Sequence, residues 1–300
     1  MKRTLVLTPL TLSLLLLLIV PRAAAQVRGK IVKSGPALPA GNIPPLIHDV
    51  AVPVPTVAVN IVATVGGTVV TVKALNGAVT STQTPALSNQ PMYRFIGMTV
   101  VGGKLYALTS ATAPEQPANR SRLFTITGSN TTLTPVATLS PAGVCGGEGD
   151  IAYDKSANMM YATCLDSGGV WRLVTINLGS GAVTPVGPMP VMVGQPPQYA
   201  GLAFSPTGEL YALDTMNRRL FKLDKQNPAN NYSMLTLSAP WQLPNPSATG
   251  GLGFNDVGGL YASFGGALVS INTLTGEVAH IGAGAYTALV ASGGGLYVAQ

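Results

Sequence analysis

A short pattern recurs five times along the chain and constrains its fold more than any other feature. Each copy has a small residue and an apolar pair, then a tight turn, then Leu-Tyr-Ala or a close variant. The copies occupy residues 97–108, 150–163, 201–213, 251–263 and 288–299, at intervals within 36 to 55 residues. Repetition at this period indicates one supersecondary unit that is used several times.

Each unit contains four strand-like runs, which the third copy shows most clearly. Its runs a, b, c and d cover residues 202–204, 210–213, 220–223 and 232–237. Ser-Pro-Thr-Gly between a and b is typical of a hairpin turn. No long stretch carries apolar residues at the helical period. The pattern therefore predicts an all-β fold, a β-propeller built of four-stranded antiparallel blades.

The two ends of the repeat region predict how the ring closes. Residues 61–72 align without a gap to residues 260–271, so the N-terminal piece supplies strands b, c and d of a blade. The last copy supplies strands a and b. Four complete blades and one blade shared by the termini give five, and sharing hides the sheet edges of an open ring. Because strand b would then occur twice, a six-bladed ring and an open or truncated ring are alternatives.

The third copy also resembles a known group of proteins. Its run Gly-Leu-Ala-Phe-Ser-Pro-Thr-Gly-Glu-Leu-Tyr-Ala-Leu-Asp, followed by Arg-Leu-Phe-Lys-Leu-Asp, is similar to the repeat of secreted bacterial propellers of the NHL and YncE-like superfamily. The resemblance covers residues 57–300. It implies a propeller architecture and no particular activity, since propellers host hydrolases, lyases, lectins and scaffolds.

The N-terminal 25 residues are typical of a secretory signal peptide. Lys2 and Arg3 precede an apolar run over residues 5–20, and small residues at 23–25 precede Gln26. An uncleaved membrane anchor is the alternative. We expect cleavage, and a secreted or periplasmic protein. Residues 26–56 are rich in proline and glycine and predict a linker or a surface strap before the propeller domain at 57–300.

Charge and hydropathy narrow the classes of partner. Cleavage of the signal removes three basic residues, which lowers the formal net charge from +6 to +3. Only 9% of residues are charged and no stripe of Lys and Arg exists, so a nucleic-acid partner is not expected. No later segment is long and apolar enough to span a bilayer. We expect a monomer whose partner is an extracellular protein or a glycan.

The chain has two cysteines, Cys145 and Cys164. Cys145 lies before strand a of the second copy, and Cys164 lies just after strand b. Since antiparallel strands bring the start of one beside the end of the next, both thiols fall at one end of a hairpin. This placement, in a chain routed out of the cytoplasm, predicts a structural disulfide.

Loop lengths predict which face of the propeller carries function. The a–b turns and most c–d turns are short, whereas several b–c and d–a connections are long and emerge on one face, which we call the loop face. Its long connections are residues 110–121, 140–149, 188–198 and 239–250. Binding residues are commonly found on loops that a rigid scaffold positions.

Seven residues at or just before the a strands are the candidate ligand-binding residues. Placed near the central channel, they would line a funnel for a sugar ring or an aromatic ligand. The alternative is that the aromatic members simply plug the channel. The candidates are Arg94, Phe95, Glu148, Asp150, Gln198, Tyr199 and Tyr286.

The sequence predicts a binding or interaction module with no cofactor, no metal site and no assigned catalytic residue. Two distant histidines and two cysteines do not form a metal-ligand cluster. An extracellular carbohydrate-active hydrolase or lyase is the main alternative, with Glu148 and one of Asp150, Asp166 or Asp214 as paired carboxylates. A structural envelope protein without a small ligand is a further alternative.

Overall fold

The structure is a computed structural model, and the residues that it describes belong to the unit Val50–Gln300. The described residues are 59–65, 67–85, 94–110, 121–127, 131–141, 149–193, 195–240, 242, 245–246 and 248–293. The predicted signal peptide, the linker and the strand b predicted at 296–299 lie outside them and stay predictions. Within these residues, no helix is long and apolar enough to cross a membrane.

The described residues form twenty strands in five antiparallel sheets of four strands each, as the repeat predicts. Blade I contains β4 (Phe95–Val101), β5 (Lys104–Thr109), β6 (Arg122–Thr127) and β7 (Thr132–Thr138). Blade II contains β8 (Gly149–Asp154), β9 (Met159–Leu165), β10 (Trp171–Ile176) and β11 (Val183–Pro188). Blade III contains β12 (Tyr199–Phe204), β13 (Leu210–Asp214), β14 (Arg219–Leu223) and β15 (Tyr232–Thr236). Blade IV contains β16 (Gly250–Phe254), β17 (Leu260–Phe264), β18 (Ala267–Ile271) and β19 (Val278–Ala283).

Blade V is the shared blade, and it confirms the count of five. The N-terminal piece supplies β1 (Val59–Val65), β2 (Thr68–Lys73) and β3 (Val79–Gln83), and the C-terminal piece supplies β20 (Ala288–Gly293). The sheet order is β20-β1-β2-β3, so β20 is strand a and β1 is strand b. The Thr287 hydroxyl then donates to the Phe95 carbonyl at 2.7 Å, which ties blade V to blade I.

The innermost strands contact one another in a closed circle, β4 to β8 to β12 to β16 to β20 and back to β4. Small residues allow this close approach. A Cβ on Gly97 would lie 2.7 Å from the Ile151 nitrogen, and one on Gly251 would lie 2.8 Å from the Leu289 nitrogen. The small first residue of the repeat is therefore a packing requirement at the channel.

The core lies between neighbouring blades, and the repeated tyrosines help to build it. The ring of Tyr161 in blade II packs edge-on against Phe204 in blade III, with centroids 5.5 Å apart. Tyr211 in blade III packs against Phe254 in blade IV at 5.2 Å. Each pair joins strand b of one blade to strand a of the next, so the repeat itself makes the contacts that hold the ring together.

Candidate functional site

The candidate residue Asp150 lies in the channel itself. Its side chain is fully buried, and its two carboxylate oxygens accept backbone N–H groups from the innermost strands. Ile151 N donates to Oδ1 at 2.8 Å, and Leu202 N donates to Oδ2 at 2.9 Å. The backbone N–H groups of Met98 and Leu252 are also bonded to it. One carboxyl group therefore joins blades I, II, III and IV.

The repeat explains how the chain accommodates this side chain. Gly97, Gly201, Gly251 and Ala288 are the counterparts of Asp150 in the other blades, so the channel has room for one side chain. The inward edge of each innermost strand has no neighbouring strand, and its N–H groups need an acceptor. Burial raises the pKa of Asp150 well above its usual range, while the four N–H groups act to lower it. The carboxyl group is thus a structural acceptor with no surface exposed to a ligand.

Tyr199 begins strand a of blade III, Gln198 is the last residue of the connection before it, and both help to position that connection. The Tyr199 hydroxyl donates to the Pro190 carbonyl at 2.6 Å. The ring of Tyr199 packs between Trp171 of blade II and Phe221 of blade III. Gln198 N donates to Asp214 Oδ1 at 3.0 Å. Burial raises the pKa of the Tyr199 hydroxyl far above its ordinary value, and the nearby Asp214 charge adds to this effect. Tyr199 therefore remains a neutral hydrogen-bond donor at physiological pH.

We call residues 189–198, of which all but 194 are described, the anchored loop. Besides the bonds of Tyr199 and Gln198, its Met189 N donates to the Trp171 carbonyl at 2.8 Å. The side-chain amide of Asn217 donates to the Gln195 carbonyl at 3.1 Å. These bonds hold both ends and the middle of the loop. Nevertheless, Val191 and Val193 are 77% and 98% exposed.

The remaining candidates are distributed around the ring. Phe95 and Tyr286 are buried in the hydrophobic clusters between blades, and Arg94 is half-buried just before β4. Glu148 lies outside the described residues. The structure thus buries the three candidate aromatic rings, and the ligand-binding roles of Arg94, Glu148 and Gln198 stay predictions.

The carboxylates considered for hydrolysis each have a structural role where they are described. Asp166 Oδ1 accepts the N–H groups of Gly168 and Val170, both at 2.9 Å, and Oδ2 accepts from Arg172 Nε at 2.6 Å. These hydrogen bonds lower the pKa of Asp166. Asp214 is buried and caps its own turn, where Asn217 Nδ2 donates to it at 2.7 Å.

Cys164 is buried on β9 opposite Gly149, at the loop-face end of the β8–β9 hairpin. Cys145 lies outside the described residues, so the predicted disulfide stays a prediction. Among the described residues, no group of three or more His, Cys, Asp or Glu side chains could hold a metal ion.

Three cavities among the described residues lie away from the loop face. A central cavity of about 110 Å³ opens on the opposite face, where Lys155 and Asp256 stand on a–b turns. It adjoins a cleft of about 270 Å³ beside Ser156 and Pro206. The first volume is smaller than the roughly 300–1,000 Å³ of typical ligand pockets. A groove of about 510 Å³ between blades III and IV contains Glu209, which already accepts hydrogen bonds from neighbouring side chains in the groove.

Sequence reasoning missed three charged residues of blade III. Arg218 and Arg219 lie where strand b turns into strand c, and Lys225 lies between strands c and d. Lys225 is paired with the buried Asp154 of blade II. The signal for the arginines was present, because Arg122, Arg172 and Arg219 stand at or next to the start of strand c in three successive blades.

Comparisons with known proteins find similar solved structures. No family model and no curated protein matches the sequence. A protein of unknown function from Bacteroides thetaiotaomicron VPI-5482 is similar with a TM-score of 0.48 and 15% identity, over 75% of this chain and 57% of that chain. Virginiamycin B lyase from Staphylococcus aureus is similar with a TM-score of 0.40 and 11% identity, over 72% of this chain and 63% of that one. A chain of a nidogen/laminin complex has a TM-score of 0.46 and 12% identity, over 78% and 98%.

The chain spans less than two thirds of the length of the Bacteroides protein and of the lyase. At these identities the likeness concerns the fold alone. The five blades themselves confirm the resemblance to the propeller superfamily. Any activity must be argued from this chain's own residues.

Proposed function

We propose that this protein is a secreted binding module that holds an extracellular protein partner on its loop face. The anchored loop carries this proposal. Its backbone is fixed by hydrogen bonds to the core of blades II and III, yet Val191 and Val193 extend into solvent. A rigid loop loses little conformational entropy on binding, and exposed apolar side chains are the ones that gain free energy when a partner covers them.

A protein partner is favoured over a glycan because of where the aromatic rings lie. Sugar rings commonly bind by stacking on exposed aromatic faces in a cleft. Phe95, Tyr199 and Tyr286, the aromatic candidates of the loop face, are buried against other side chains. The exposed apolar groups of the anchored loop are aliphatic, which suits the apolar patch of a protein surface.

A binding role is favoured over hydrolysis because of what the carboxylates do. Hydrolysis of a glycosidic bond requires two carboxyl groups that face each other across an accessible site. Asp150 is sealed in the channel, and Asp166 and Asp214 are engaged by turn N–H groups. Each of these three groups stabilises a turn or the ring.

A comparison of loop variants tests the proposal. The mature chain from Gln26, immobilised on beads, is exposed to culture medium of the source organism, and retained proteins are identified by mass spectrometry. We expect a protein that the wild type retains and a Val191→Ser/Val193→Ser variant loses. Val257→Ser is the matched control, since Val257 is 82% exposed on an a–b turn of the opposite face. Equal retention by all three baits would contradict the proposal, as would a glycan array that gives the only specific signal.

A further inference from the structure

The basic residues of the propeller are segregated by type between its two faces. Every described arginine lies at the loop face, at the start of a strand a or c or in a b–c turn. Every described lysine lies at or near the opposite face, at the a–b or c–d ends of the strands. The arginines are Arg94, Arg122, Arg172, Arg218 and Arg219, and the lysines are Lys73, Lys104, Lys155, Lys222 and Lys225.

The described acidic groups of the loop face offset part of the positive charge of the two arginines of blade III, and not all of it. Asp214 faces Arg219 across the β13–β14 pair, but its oxygens accept from Gln198 N, Met216 N and Asn217. Asp166 is paired with Arg172, and Asp150 is sealed in the channel. A positive charge therefore remains beside the anchored loop.

Arg218 and Arg219 also have unmet hydrogen-bonding capacity. Within the part of the chain that the structure describes, Arg218 Nε and Arg219 Nη1 are buried and have no hydrogen-bond partner. A buried guanidinium N–H without an acceptor is costly, and native proteins rarely leave one unmet. Two such groups on successive residues require an explanation.

The backbone of Arg218 adds a second unusual feature. Its φ is +54°, in the left-handed region that glycine and asparagine adopt most easily. A long side chain at this position is held there against its local preference. Strain of this kind is concentrated at functional sites, where the surrounding structure fixes it.

The two arginines adjoin the anchored loop. Asn217, directly before Arg218, donates its amide to the Gln195 carbonyl. Burial and the Asp214 charge raise the pKa of the Tyr199 hydroxyl, and Arg219 lies close enough for its positive charge to oppose that rise; the same hydroxyl is bonded to Pro190. The cationic groups and the exposed valines therefore belong to one surface.

We propose that Arg218 and Arg219 form a carboxylate-binding centre, and that the partner is a protein segment with an Asp or Glu side chain next to apolar residues. The inference rests on the proposed function and specifies the chemistry of its partner. Guanidinium groups present paired N–H donors that match the two oxygens of a carboxylate. Both side chains are half-buried, so the carboxylate would accept from the guanidinium N–H groups other than the two buried ones, and the adjacent apolar side chains would cover Val191 and Val193.

Fluorescence anisotropy with defined probes tests the inference. The main probe is a labelled eight-residue peptide of alternating Asp and Val, and its control is the same peptide with Asn in place of Asp. We expect the wild type to bind the Asp peptide at least tenfold more tightly than the Asn peptide. We also expect the affinity to fall as NaCl rises, because salt screens charge–charge attraction.

Variants assign the binding to the two arginines. Arg218→Gly suits the positive φ and Arg219→Gln keeps most of the side-chain length, so the double variant is expected to fold. It should bind the Asp peptide at least tenfold more weakly than the wild type. Lys155→Gln removes one charge from the opposite face and should bind as the wild type does.

Unchanged binding by the double arginine variant would overturn the inference, and so would equal affinity for the Asp and Asn peptides. Binding of tetragalacturonate in place of the peptide would overturn the assignment of a protein partner. A Val191→Ser/Val193→Ser variant separates the two proposals. Loss of binding in the valine variant alone would support the proposed function and overturn the arginine centre. Loss in the arginine variant alone would support the arginine centre and overturn the role of Val191 and Val193 in the proposed function.

Discussion

Replacement of Asp150 tests the physical reasoning about the channel most severely. In Asp150→Ala, four backbone N–H groups lose their acceptor at a fully buried site. At the low end of the range, each unmet N–H costs about 1 kcal/mol, which gives a loss of about 4 kcal/mol. The low end applies because burial of the carboxyl group is itself unfavourable, and it is this burial that raises the pKa of Asp150. The variant removes that unfavourable contribution together with the hydrogen bonds. A loss of this size is a large part of the roughly 5–15 kcal/mol that stabilises a typical domain.

Asp150→Asn should lower the free energy of unfolding by a smaller amount than Asp150→Ala. The amide has nearly the same shape and keeps one acceptor oxygen, but its NH₂ group meets backbone donors. About half of the bonds would remain, so we expect a loss of about 2 kcal/mol. Asp166→Asn is the matched control, because Asp166 lies in an exposed turn where loss of an ion pair costs about 1 kcal/mol or less.

Urea unfolding followed by the fluorescence of the buried Trp171 measures these free energies. The expected order of stability is wild type and Asp166→Asn, then Asp150→Asn, then Asp150→Ala. If Asp150→Ala unfolded within 1 kcal/mol of the wild type, the carboxyl group would not be the acceptor that joins four blades. An Asp150→Asn protein more stable than the wild type would refute the reasoning equally.

Three further perturbations test other parts of the ring. Gly97→Ala would place a methyl group 2.8 Å from the channel carboxylate, and we expect a loss of about 1–3 kcal/mol in urea unfolding. Burial acts to raise the pKa of Asp154, but hydrogen bonds from Lys225 and turn residues together outweigh it and lower the pKa to about 2. Asp154 therefore stabilises the fold by about 2 kcal/mol above pH ~4, and this stabilisation is lost as the pH falls toward 2. Measurements of the free energy of unfolding against pH should show this acid loss in the wild type and not in Asp154→Asn. Finally, intact-mass measurement should show two hydrogens fewer than the reduced chain, and Cys164→Ser should lose about 3 kcal/mol, if Cys145 and Cys164 are bonded as predicted.

For each of these three perturbations, one result would contradict the prediction. Gly179→Ala is the control for Gly97, since the nearest atom would lie 3.5 Å away, and equal losses at both positions would refute close packing at the channel. An acid profile of Asp154→Asn that matches the wild type would show that another group causes the acid loss. Two thiols that react without a reductant would exclude the disulfide.

The architecture was predictable because it depends on features that the sequence repeats. The small first residue, the turn and the Leu-Tyr-Ala tyrosine recur in register, and each recurs because each blade must pack against the next in the same way. The pairing of β20 with β1 followed from the alignment of residues 61–72 with 260–271. A pattern of this kind specifies contacts between neighbours, which is the information a ring requires.

The site was less predictable because it depends on departures from the repeat. Asp150 was predicted to bind a ligand, but its burial follows from glycines in other blades that leave one space at the axis. Tyr199 was placed near the channel, whereas a shift in the strand register after it turns its ring between Trp171 and Phe221. Arg218 could not be predicted as a site residue, because composition identifies a turn but does not reveal a positive φ or a guanidinium N–H group without an acceptor.

Hydrogen–deuterium exchange of the mature protein with the Asp–Val peptide tests the central claim most directly. Binding on the loop face should slow exchange in residues 189–198 and 215–219 and leave the a–b turns at 155–158 and 256–259 unchanged. Protection confined to those a–b turns, beside the central cavity, would contradict the account and assign binding to the opposite face.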